Sequence, residues 1–260
     1  VGEGSDTDSL QLPGVQQQLL EALVETGKPV VVVMTGGRPY HLGGLESRVA
    51  AWVMAWAPGQ EGGHAIADLL TGKAEPQGRL VVSVPKSAGA MPYYYNHKLK
   101  SGGTPYAFHF GSRYPFGYGK TWTEFRYGAL DIAQARVPMT GEVEVSVIVT
   151  NSGTQAGSEV VQLYVHDKVA SMVRPVQELK AFGRVTLAPG ASARVTFRVP
   201  VDMLSFTRRD GARIVEPGEF DIRVGANSGD IRSRGTVIVE GETQVLGNSW
   251  RMLSECHVEQ

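Results

Sequence analysis

One cysteine, Cys256, is present in 260 residues. That excludes a disulfide framework and a cysteine metal site within the chain, and it suits a reducing or an oxidising compartment equally, so localisation stays open. No apolar run approaches the roughly 20 residues that cross a bilayer as a helix. Charge of one sign is not in excess either: 25 Lys and Arg stand against 26 Asp and Glu, a formal net charge of -1. There is no broad basic field for nucleic acid or an anionic membrane surface, and neither is expected as a partner. A neutral sugar or similar small polar ligand fits the balance better. The six histidines include no pair at the i, i+4 spacing of a helical zinc site. The dinucleotide spacing G-x-G-x-x-G, the P-loop and the G-x-S-x-G elbow are missing as well. No metal and no cofactor is implied.

What is there divides into two halves with different periods. Residues 1–127 alternate short apolar runs with helical segments and are expected to form part of an open α/β sheet. VQQQLLEALVET (15–26) puts Val15, Leu19, Leu20 and Leu23 on one helical stripe, closed by Gly27. PVVVVM (29–34) is a β-branched run suited to a parallel strand with both faces buried. ESRVAAWVMAW (46–56) is helical by composition, and QEGGHAIADLLTG (60–72) is a second helix, with Ala65, Leu69 and Leu70 inward and Gly72 as its stop. RLVVSVP (79–85) predicts another buried strand. The order implies right-handed βαβ connections, with a first strand lying ahead of Val1. Residues 86–127, rich in Gly, Tyr and Pro, predict ordered irregular structure whose tyrosines cover a core or line a cleft.

From about residue 140 the period becomes two. EVEVSVIVT (142–150), SARVTFRVP (192–200) and EFDIRVGA (219–226) alternate apolar with polar residues. SEVVQLYVHD, ELKAFGRVTL and RGTVIVE lie between turn signals such as NSGT, APGAS and EPG. About seven short antiparallel strands predict an immunoglobulin-like or fibronectin type III-like sandwich over residues 128–243. Residues 244–260 are left as a tail, docked on a neighbour or without structure.

The chain opens VGEGSDTDSLQLPG, without an initiator Met and with no signal-peptide pattern visible in these residues. Glu3, Asp6 and Asp8 offer oxygens like a calcium loop, but Leu10 takes the next alternating position and the closing glutamate is missing. By its residues alone, Gly-Glu-Gly is either a solvated turn ahead of a helix or a sharp loop projecting Glu3 over a cleft at the sheet edge.

Several long strings resemble one family. GKPVVVVMTGGRPYHL, AWVMAWAPGQEGGHAIADLLTGKAEPQGRLVVSVPKSAGAMPYYYNHK and SRYPFGYGKTWTEFRYGAL resemble the second domain of glycoside hydrolase family 3, its β-glucosidases and β-xylosidases above all. VTNSGTQAGSEVVQLYV and RPVQELKAFGRVTLAPGASARVTFRV are similar to the fibronectin-type domain that follows in many of those enzymes. The resemblance implies that residues 1–127 are the C-terminal part of an α/β sandwich domain. It also implies that the nucleophile, an aspartate, lies on an N-terminal barrel outside these residues.

In that family a loop of the α/β domain carries the acid/base glutamate about ten residues ahead of a Leu-x-Leu-Pro segment. Glu3 stands seven residues before Leu10 and ten before Pro13 of the Leu10-Gln11-Leu12-Pro13 string, so the resemblance gives Glu3 this role. Asp6 matches an acidic position often found in the loop, whereas Thr7 stands where many relatives have Arg. Retaining hydrolysis of terminal, non-reducing β-linked sugars follows, with a β-glucoside as the first expected substrate. The implied partners are that substrate and the barrel portion of the same enzyme, with a homo-oligomer as a further option. The chain by itself is expected to be inactive. The alternative is a non-catalytic carbohydrate-binding or scaffolding module. Trp52, Trp56 and Trp122 suit sugar stacking, although the spacing of the first two favours packing. His41, His64, His97 and His109 are candidates for structural hydrogen bonds only, and the loop 166–175 is long enough to dock on a neighbouring domain.

Overall fold

The computed structural model describes residue 4, residues 7–99 and residues 110–260. Glu3, Asp6 and His109 lie outside the described residues. Two compact units alternate along the chain. One takes residues up to Glu75, Ser83–Tyr93 and the stretch ending at Tyr114; the other takes Pro76–Val82, residues 94–99 and Pro115–Gln260.

The first unit is α/β. Helix α1 (Gln16–Glu25) forms where expected and ends at Gly27, whose φ of 72° suits a residue without Cβ. Its buried stripe is not the expected one. Leu20 and Val24 face the core, whereas Val15, Leu19 and Leu23 are 71%, 60% and 44% exposed. Two adjoining i, i+4 stripes are apolar here, and periodicity cannot tell which of them turns inward. Strand β1 (Val31–Thr35) pairs in parallel with β2 (Ala51–Trp56), Val31 opposite Ala51 and Val33 opposite Val53. Only Met34 of β1 is fully buried, so burial of both strand faces does not hold.

The β2 segment corrects the helix expected over 46–56. Only a short 3-10 turn at Leu45–Ser47 is helical there, and Ala51–Trp56 is strand. A spacing of four suits a helix, but it is also two strand periods, so the spacing of Trp52 and Trp56 does not tell the two apart. In the strand a register shift before Trp56, which pairs with Thr35, breaks the alternation. Tryptophan and valine favour the pleated form. Helix α2 (Gly62–Leu70) is present and ends at Gly72, but it lies largely in solvent: Ala65 and Leu70 are exposed and Leu69 is half-buried. The strand expected over 79–85 shrinks to β3 (Val84–Pro85). This strand pairs antiparallel with β4 (Ser112–Tyr114) and not with β1 or β2. Val81, 75% exposed, belongs to the other unit, where Leu80 exchanges backbone hydrogen bonds with Gly117 and Tyr118.

The second unit is the sandwich. Its strands are β5 (Phe125–Tyr127), β6 (Asp131–Ile132), β7 (Arg136–Pro138), β8 (Glu142–Asn151), β9 (Gly157–Asp167), β10 (Glu178–Leu187) and β11 (Ser192–Pro200). They continue with β12 (Phe206–Thr207), β13 (Arg213–Val215), β14 (Gly218–Asn227), β15 (Asp230–Glu240), β16 (Gln244–Val245) and β17 (Glu255–Glu259). One sheet runs β10-β9-β14-β15-β7. The facing one runs β17-β11-β8-β5, with β6 also on β8, and β12-β13-β16 form a small third sheet. Alternation sets the register: Val149, Val147, Val145 and Val143 stand opposite Ala193, Val195, Phe197 and Val199, all buried. The tail is not loose. Strand β17 pairs with β11, Cys256 opposite Phe197, and burial pushes the Cys256 thiol pKa up.

From the tyrosine-rich stretch, Tyr95 and Phe116 dress the outer face of β9 and β10. The Tyr95 ring stacks on Phe116 with centroids 4.3 Å apart and meets Tyr164 edge-on at 5.9 Å. Tyr164 is fully buried and donates its hydroxyl to Gln162 Oε1 at 2.6 Å. Gln162 Nε2 donates to the carbonyls of Ala226 (2.6 Å) and Gly117 (3.1 Å). Gly117 has a φ of 82°, and a Cβ there would overlap the Gln162 amide. Gly117→Ala is expected to cost about 2 kcal/mol, read from the urea midpoint, through left-handed strain and the displaced amide. Gly190→Ala, at φ 76° with open space around it, should cost the backbone term of about 1 kcal/mol only.

Candidate active site

The acidic loop is described from Thr7 onward, with Gly4 ahead of it at a φ of 71° in open space. Two hydroxyl turns shape its exit: Thr7 Oγ1 accepts the Ser9 N–H at 3.2 Å, and Ser9 Oγ accepts the Gln11 N–H at 3.1 Å. Leu10 is buried, and its carbonyl accepts the His41 N–H at 2.7 Å. Gln11 pairs with His41 as a parallel bridge. His41 belongs to the loop that leaves the carboxyl end of β1, and Gly36 at the start of that loop donates to Trp56 O at the end of β2. The exit of the acidic loop is therefore seated on the loop that leaves the carboxyl end of β1, the end at which open α/β sheets bind ligands.

The β1 loop is held from several sides. His41 Nε2 lies 2.7 Å from the Pro85 carbonyl, which only accepts, so this nitrogen carries the proton. Burial lowers the pKa of the ring; the bond to Pro85 opposes this, Arg113 adds to it, and Glu46 opposes it. Glu46 Oε1 accepts the Leu42 N–H at 3.1 Å and lies 2.8 Å from Arg113 Nη1 on β4. Gln17 of α1 donates to the Leu42 carbonyl. This knot escaped sequence reading, which gave His41 a structural hydrogen bond without its partner; no local motif marks Pro85 or Arg113 as its neighbours.

The other sequence candidates fall as follows. Trp52 is half-buried against the first core, 5.4 Å from the Tyr114 ring, so it packs as its spacing suggests, although from a strand. Trp122 is 43% exposed. His64 pairs with Glu61 and His97 with the Lys98 carbonyl. In the loop between β9 and β10, Val169 and Val173 face solvent, while Arg174 at its base binds Glu178 at 2.8 Å and covers the Phe206 ring at 4.7 Å. Among the described residues no group of His, Cys, Asp and Glu is placed to hold a metal ion, and no helix is long and apolar enough to cross a membrane.

Comparison with known proteins agrees with this layout. The model of the glycosyl hydrolase family 3 C-terminal domain matches residues 1–122, and that of the fibronectin type III-like domain matches residues 159–228. A β-xylosidase of Formosa agariphila is 39% identical over 231 residues, 87% of this chain and 32% of the relative. A periplasmic β-glucosidase of Salmonella typhimurium is 37% identical over 243 residues, 88% of this chain and 32% of its own. The crystal structure of a β-glucosidase from Listeria innocua in complex with glucose superposes with a TM-score of 0.83 at 35% identity, covering 93% of this chain and 35% of that one. The chain thus spans about a third of the length of the curated relatives it matches.

Proposed function

Since the chain carries the C-terminal domain of glycosyl hydrolase family 3 followed by a fibronectin type III-like domain, we propose that it is the acid-supplying portion of a retaining β-glycosidase, with Glu3 as general acid/base. The observation that supports this best is the seat of the acidic loop: seven residues after Glu3, Leu10 is buried and bonded to His41 in the loop that leaves the carboxyl end of β1. That is where a loop must be fixed if it is to present a side chain to a ligand.

In the first half of the cycle, protonated Glu3 gives its proton to the departing glycosidic oxygen while the partner aspartate of the barrel portion attacks the anomeric carbon. In the second half, ionised Glu3 takes a proton from water, which releases the sugar from the aspartate. The first step needs a carboxyl that holds its proton near neutral pH, a state favoured by desolvation and by the neighbouring carboxylate. The second needs it ionised, as it is once it has given that proton and the nucleophile's charge is taken up in the glycosyl ester. The proposed substrate is a terminal, non-reducing β-linked glucose. Two carboxyl groups about 5–5.5 Å apart give retention. Proton NMR of the first product released by the full-length enzyme should therefore show the β-anomer ahead of mutarotation. The α-anomer as first product would overturn the double-displacement reading.

A further inference from the structure

The loop that seats the acidic segment has one side chain that ties it across the unit. His41 bonds Leu10 through its backbone and the Pro85 carbonyl through its ring, at 2.7 Å in each case. The other ties to this loop run through Leu42, by way of Glu46 and Gln17. Residue 41 thus hydrogen-bonds both the exit of the acidic loop and strand β3. Without the ring donor, the bond to the Pro85 carbonyl is lost and residue 41 can shift on β3 while Leu42 stays tied, taking Leu10 and Gln11 with it.

We propose that His41 is a positioning residue for acid/base catalysis, holding the acidic loop in register through the Pro85 carbonyl. The inference rests on Glu3 being the general acid. A proton donor acts only within hydrogen-bond reach of the leaving oxygen, and a displacement of about 1 Å can cost as much as 100-fold in rate. A positioning defect is therefore selective. It slows the departure of groups that need a proton and spares those that leave as stable anions, whereas general loss of structure lowers both.

The test uses the full-length enzyme and kcat/KM, which reports the steps up to departure of the leaving group. Wild type, His41→Leu, His41→Gln and Glu3→Gln are compared on an alkyl β-glycoside and on a dinitrophenyl β-glycoside. Leucine fills the space of the ring without a donor; glutamine places an amide N–H near the position of Nε2. His41→Leu should lose about 10- to 100-fold on the alkyl glycoside and less than about threefold on the dinitrophenyl one, with His41→Gln restoring most of the difference. Equal losses on both substrates, or no loss, while Glu3→Gln stays selective, would overturn the role of His41 alone. A Glu3→Gln variant without selectivity would instead remove the acid reading, and this inference with it. Should His41→Leu fail to fold, His41→Asn, whose shorter amide falls short of Pro85, carries the same comparison.

Discussion

Glu3→Gln in the full-length enzyme is expected to lower kcat/KM on an alkyl β-glycoside by about 10²–10⁴-fold, the usual worth of a positioned general acid. The amide keeps the size and the hydrogen-bonding edge of the carboxylic acid but has no proton to give at neutral pH. An alkoxide is too basic to depart without one. A dinitrophenolate is stable in water, so the same variant should lose little on that substrate at the first step. Release of the sugar from the nucleophile then becomes limiting, because water has lost its base, and a burst of phenolate before a slow steady state should appear. A small, equal change on both substrates would favour a non-catalytic module.

The second large effect concerns stability. Arg79 Nη2 lies 3.0 Å from Glu159 Oε1 inside the second unit, with side chains only 9% and 10% exposed. The Glu159 oxygen also accepts the Val160 N–H at 2.7 Å. In spite of this short contact, the Glu159 carboxyl titrates above its ordinary value. Burial raises it by more than the hydrogen bond and charge of Arg79, the Val160 N–H and the more distant Arg232 lower it. The pair offsets its own desolvation incompletely, as buried ion pairs often do. Glu159→Gln keeps an acceptor but leaves the buried Arg79 guanidinium without its counter-charge, so it should also destabilise. The cost should be less than that of losing Arg79, because the Gln77 and Gly78 carbonyls still accept from the guanidinium.

Arg79→Met removes the compensating charge and should cost about 3–5 kcal/mol near neutral pH. For a domain of this size that is a thermal midpoint roughly 6–20 °C lower. The loss is pH-dependent. With Arg79 gone, the folded state holds the Glu159 proton more tightly than the unfolded chain does. Stability is then retained below the ordinary glutamate value and lost as pH rises through the raised one. The gap between variant and parent should be wider at about pH 8 than at about pH 5. Equal gaps at the two pH values would show that lost packing, and not an unpaired carboxylate, sets the cost.

The sandwich was the most legible part of the fold, because one physical rule governs it: a strand with one dry and one wet face must alternate, as Val143 to Val149 do against Glu142 to Ile148. The α/β half was less legible for the reverse reason. Short apolar runs such as AWVMAW carry no face signal, and a spacing of four serves a helix and a strand alike. RLVVSVP looked like a core strand because its valines are adjacent, but Val81 and Val82 face solvent while Val84 is buried. Glu3 was legible only through resemblance, since a glycine-flanked acid carries no chemistry until its neighbours are known. The His41–Pro85 bond joins residues 44 positions apart, and nothing in either segment encodes it.

Strand β17 bears on how this protein can be shortened. It covers the outer backbone edge of β11 from Arg194 to Arg198, while Gln260 bonds the Thr186 carbonyl and Ser254 that of Lys180 on β10. A product trimmed to residue 243 would bare a row of amide and carbonyl groups beside Val195 and Phe197. Such a rim recruits copies of itself. Trimmed forms should accumulate in inclusion bodies, and the smallest module worth expressing keeps its last ten residues.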